Sequence, residues 1–169
     1  MDTKPDSPEP WLRGSLRDVP AIPRAVLHAL EQAQEDLHKW CFSLTDVQLN
    51  ERPQGLAPVA FHLRHIARSV DRLLSYAESS PLNETQLAQL QSELDPNATH
   101  DQLFAELDAA LTRSAARVRA LASADSSAPR LVGKKQLPAT LGGLLVHVAD
   151  HTQRHVGQAV ITTKLLTRA

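Results

Sequence analysis

The stretch ATLGGLLVHVADHTQRHVGQAVITTKLLTRA, residues 139–169, contains no proline and repeats its apolar positions at helical spacing. Opening after Thr140, the stripe runs Leu141, Leu144/Leu145, Val148, Thr152, His155, Ala159 and Leu166. Proline inside a helix removes a hydrogen bond and clashes with the preceding turn, so proline-free windows mark where long helices can lie. Three more such windows span residues 24–52, 59–80 and 97–128. The first carries Val26, Leu30, Ala33, Leu37, Trp40/Cys41 and Leu44. In the second, Pro58 suits a first helical turn, followed by Val59, Leu63, Ile66, Val70, Leu73 and Ala77. The third opens on Thr99 and Gln102, a capping-box pair, and continues Leu103, Leu107, Ala110/Leu111, Ser114, Val118 and Leu121. Leucine (26) and alanine (23) far outnumber valine (11) and isoleucine (3), which favours helix over strand. Four amphipathic helices, about 22–44, 58–78, 99–123 and 140–167, can bury their stripes only against one another, so an all-α four-helix bundle is expected. A shorter helix at 84–94 bridges the second and third, and residues 124–138 read as a loop.

The chain of 169 residues is 42% hydrophobic and 22% charged, as expected for one globular domain, here residues 19–169 behind an N-terminal arm of 1–18. Its net charge of -1 gives no electrostatic reason to expect nucleic acid or an anionic membrane as partner. A single cysteine, Cys41, excludes an intramolecular disulfide and suits a reducing compartment; it lies on the first stripe and reads as packing. The acidic, proline-rich start lacks the apolar stretch of a signal peptide, and no apolar run is long enough to span a bilayer. The expected location is the cytoplasm.

Six glycines, none in a Gly-rich strand-to-helix turn, leave no phosphate loop or dinucleotide fingerprint, and there is no Gly-x-Ser-x-Gly elbow. Arg130, Lys134 and Lys135 form a small basic cluster that reads as solvated. Histidine stands out. Five of the eight fall in two stretches: His62 and His65, then His147, His151 and His155. The other three are His28, His38 and His100; His28 lies opposite its stripe and His38 beside it, so both read as surface residues.

Spacing of i, i+4 puts two imidazoles on one helix face, where both can bind one metal ion. His147 and His155 are roughly 12 Å apart along a helix and turned by about 80°, too far for one tight coordination sphere. His151 and His155 face the core side, with His147 at its edge. A third ligand must come from another helix. At about 100° per residue, His62 lies within the second stripe and His65 at its margin, so periodicity slightly favours His62. Thr152 stands where the His-Glu-x-x-His protease pattern requires glutamate, which removes zinc proteolysis. Asp150 points about 140° from His155, so no general base can be named from the spacing.

The segments His147-Val-Ala-Asp-His-Thr-Gln-Arg-His-Val-Gly-Gln158 and Phe61-His-Leu-Arg-His-Ile-Ala-Arg-Ser-Val-Asp-Arg-Leu-Leu74 resemble the DinB-like superfamily, which includes the YfiT-like metal-dependent hydrolases. The resemblance covers most of the chain. It implies an up-down-down-up four-helix bundle, commonly a homodimer, with a divalent metal held by three histidines. Carried onto this sequence, the ligands are His65, His151 and His155. His62 and His147 are then extra, as alternative ligands, supporting donors or substrate contacts. Gly157 would allow close helix packing, and Gln158 would orient a ligand or water. Zinc or nickel suits such imidazole ligands best, and iron is compatible. Described activities in the superfamily include thiol-dependent S-transfer and related isomerisation with low-molecular-weight thiols, so the resemblance implies hydrolysis or S-transfer on a small-molecule substrate.

Overall fold

Proline spacing and capping residues set the helix boundaries in the computed structural model, which describes residues 7–167. Residues 1–6 of the expected arm, and 168–169, lie outside the described part. The long helices are α1 (Ala21–Cys41), α3 (Val59–Ala77), α5 (His100–Ala120) and α6 (Leu141–Thr167), with short helices α2 (Asp46–Asn50) and α4 (Glu84–Gln91) between them. Thr99 caps α5 as its pairing with Gln102 predicts, and Thr45/Gln48 and Asn83/Gln86 form the same reciprocal box on α2 and α4. α1 stops three residues short of the expected boundary. There the chain turns to start α2, and Leu44 is buried beyond the helix end.

Cross-helix contacts fix the direction of each helix. Ile22 lies beside Gly142, the Gln153 amide donates to the Ala29 carbonyl, and Cys41 meets Thr163, so α1 and α6 run parallel. Arg68 pairs with Glu106, and Arg117 pairs with Asp71 and Glu78, so α3 and α5 are also parallel. His62 meets His155 and His65 meets His151, so α3 opposes α6. Gln34 and His38 reach Asp108, while His38 also touches Phe104, so α1 opposes α5. The result is an up-down-down-up bundle. Leu37, Leu63, Ile66, Leu74 and Leu107 are fully buried in its core. Each such side chain contributes roughly 1.5–3 kcal/mol relative to an exposed one. Among the described residues, no helix is long and apolar enough to cross a membrane.

Three expectations change. The stretch read as a loop contains an antiparallel hairpin, β1 (Pro129–Val132) with β2 (Leu137–Thr140), in register Pro129↔Thr140 and Val132↔Leu137. Its turn uses positive φ at Gly133, and Thr140 then caps α6 by accepting from the Gly143 amide. Arg130, from the cluster read as solvated, ties the hairpin to α3 by donating to the Ala77 carbonyl, whereas Lys134 and Lys135 are exposed. His28 is buried rather than on the surface. Residues 10–18, beginning with a 3-10 turn at Pro10–Leu12, fold back over α1 and set Ser15 Oγ 3.1 Å from His28 Nε2. Arg13 fastens this lead-in to Glu31 and Glu35. His38 is part-exposed, 2.9 Å from Asp108.

Candidate metal centre

The antiparallel α3–α6 seam brings the two histidine stretches together. Nitrogens of His65, His151 and His155 all lie within 4.8 Å of one another. The Nε2 atoms of His65 and His151 are 2.8 Å apart, and the His155 ring centroid is 4.3 Å from that of His65 and 4.7 Å from that of His151. Phe61 stacks on His65 at 5.2 Å and shields one side of the cluster. His147 stays at the rim: half-exposed, with its ring 5.4 Å from that of His151 and its Nδ1 3.8 Å from Asp150.

His62, which periodicity slightly favoured, is not in the three-nitrogen group. It is 4% exposed, and its Nδ1 lies 3.1 Å from His155 Nδ1. That contact occupies one nitrogen of His155 and leaves Nε2 as the nitrogen available to an ion. His62 therefore sits behind His155, outside the three-nitrogen group.

Helical spacing places no carboxylate beside the candidate histidines, but the fold supplies one. Glu93, just past α4 and 5% exposed, accepts from His65 Nδ1 at 2.7 Å and is ion-paired with Arg72 at 2.8 Å. Donation from Nδ1 fixes the tautomer in which His65 presents an unprotonated Nε2 to the cluster, an arrangement typical of metal-binding histidines. Burial alone would raise the Glu93 pKa, but the His65 hydrogen bond and the Arg72 charge outweigh it and hold the carboxyl below its ordinary value. Glu93 escaped the sequence reading because helix-face arithmetic compares residues on one helix, and this residue arrives from a separate connection.

Burial first, and then the neighbouring His65, lowers the pKa values of His62, His151 and His155 to about 4. Neutral imidazole is the form that binds metal. The donor set is thus suited to a divalent ion: three convergent imidazole nitrogens, those of His151 and His155 kept neutral by burial and that of His65 hydrogen-bonded from behind by a buried carboxylate.

Gly157 of the family motif behaves differently from expectation. A Cβ added at Gly157 would meet nothing within 4 Å, so this glycine does not serve close helix packing. A mid-helix glycine costs about 0.5–1 kcal/mol relative to alanine, and here no contact within the described chain offsets it. Gly157 and Gln158 are exposed and line a recess beside His62 instead. Cys41 is fully buried, with its sulfur 3.2 Å from Thr163 Oγ1, and burial raises its pKa, all in keeping with a packing role.

Fold and site together define a parallel-paired helical bundle with a three-histidine candidate metal centre at one helix seam. The sequence profile of the DinB superfamily matches residues 29–159, and the chain belongs to that superfamily. The bundle is similar to the structure of YfiT from Bacillus subtilis, described as a probable metal-dependent hydrolase with an unusual four-helix bundle topology. The two chains are 19% identical, with a TM-score of 0.62 over 84% of this chain and 86% of that one. No curated protein sequence gives a significant match.

Proposed function

We propose that the protein is a metal-dependent enzyme in which His65, His151 and His155 hold one divalent ion that activates water or a thiol for hydrolysis or S-transfer on a small molecule. The observation that carries this reading is the convergence of three imidazole nitrogens within 4.8 Å. When bound, such an ion supplies Lewis acidity, lowering the pKa of water or coordinating a thiolate. Zinc or nickel fits the all-nitrogen donor set best, and iron is compatible. Glu93 holds the His65 tautomer, His62 orients His155, and Phe61 keeps water off one side of His65. Three protein ligands leave coordination positions for substrate, unlike a closed structural site.

A second reading, a non-catalytic metal-binding or interaction bundle, draws on one observation. Both Glu93 oxygens are engaged, by His65 and by Arg72, so this carboxylate is not available as a general base. Chelation separates the two. If the chelated protein keeps its helical circular dichroism and cooperative melting, and metal-restored samples turn over ester, amide or thiol-acceptor substrates that His151→Ala cannot, the enzyme reading holds. Unfolding on chelation would make the ion structural.

A further inference from the structure

Beside the histidine cluster lies a recess of about 460 Å³. Leu56 and Ala57, just before α3, line it together with Gly157 and Ile161 of α6, and His62 of α3 completes it. This volume is within the range of small-molecule pockets, and its lining is rich in carbon. Leu56 and Ile161 are 43% and 57% exposed, so two large apolar side chains face an open concavity instead of the core. Gly157 leaves open space where any other residue would project a side chain, and none of the described residues uses that space. Among the described residues Arg154 is the one charged group in the lining, and it is paired with Asp150 at 2.6 Å, so the recess is predominantly apolar with its one cation facing a carboxylate. His62 faces the recess and is also 3.1 Å from His155, so the recess and the metal centre share one side chain.

From these features we propose that the recess binds the hydrophobic end of the substrate, a compact uncharged alkyl or aryl group, and that His62 transmits its occupancy to the metal centre. The substrate role rests on the metal-centre reading above; binding by the recess does not. The occupant is small and apolar because the volume is limited and the local charge is already paired. Gly157 sets the depth available to it, and a side chain there would shorten the group accepted.

Toluene serves as the probe, in two arms. In the first, metal-free protein is titrated and followed by NMR. Saturable binding is expected, with shifts centred on Ala57, Gly157 and Ile161. Gly157→Leu, which fills open space and favours helix, should weaken it by about tenfold or more, and Ile161→Gln on the exposed face of α6 should weaken it as well. Absence of saturable binding, or binding that neither substitution alters, overturns the proposal. In the second arm, toluene is added to cobalt-loaded protein, and the visible cobalt bands should change in the wild type and not in Gly157→Leu. Unchanged wild-type bands at saturating toluene overturn the coupling through His62. A protein that takes up no cobalt refutes the metal-centre reading and the substrate role with it, while the metal-free arm still decides whether the recess binds.

Discussion

Replacing Glu93 with leucine separates two roles that this carboxylate plays at once. Glu93 is the ion-pair partner of Arg72 at 2.8 Å, with side-chain exposures of 6% and 10%, so the substitution strands a buried guanidinium. Removing one partner of a buried pair costs about 3–5 kcal/mol. At roughly 2–4 °C per kcal/mol for a chain of this size, the melting temperature should fall by about 6–20 °C. The same change removes the acceptor that fixes the His65 tautomer, and loss of such a supporting bond typically weakens metal affinity about 10–100-fold. The double variant Arg72→Met/Glu93→Leu takes both charges out of the interior. It should recover stability to within about 1 kcal/mol, the remainder being the unpaired His65 N–H. Its metal affinity should stay as weak as that of the single variant. Urea denaturation of metal-free protein and competition with a chromophoric chelator measure the two quantities separately. The reasoning is refuted if Glu93→Leu costs less than about 1 kcal/mol, or if the double variant regains wild-type metal affinity.

Two further outcomes follow from the titrating groups. His62, His151 and His155 have folded pKa values of about 4, whereas an unfolded histidine titrates near 6.5, so between those values the unfolded chain binds more protons. The contribution of these histidines is intact above pH 6.5 and is lost as pH falls toward 4; a urea midpoint of metal-free protein that stays level from pH 7 to 5 would contradict this. Cys41, buried and bonded to Thr163, should react with a disulfide reagent such as DTNB only in denaturant; rapid stoichiometric labelling in native buffer would show the thiol to be accessible.

The four long helices were legible because prolines punctuate the sequence and the intervening stripes keep helical period, so α1, α3, α5 and α6 fall within a few residues of expectation. The hairpin was not. Pro129 and Pro138 sit within its two four-residue strands, which are too short to show an alternating pattern and are only half-buried. The pair His151 and His155 was readable from i, i+4 spacing, but the choice between His62 and His65 was not. A side chain reaching across a seam between helices sits at the margin of its own stripe, where angular arithmetic from one helix loses discrimination, and His65 is such a residue. Glu93 lay beyond single-helix reasoning because its approach to His65 depends on how the α4 connection packs across α3. His28 misled for a related reason: the face opposite the core stripe is covered by the lead-in, which a stripe drawn on α1 alone does not register.

Metal content per chain, measured by elemental mass spectrometry on untagged protein, bears most directly on the central claim. After incubation with zinc or nickel and desalting, the wild type should hold about one ion per chain, as three convergent imidazoles imply. His65→Ala, His151→Ala and His155→Ala should each lose it, while His62→Ala and His147→Ala should keep it. A wild type that retains no stoichiometric metal, or a His62→Ala variant as empty as His65→Ala, would contradict the three-histidine centre.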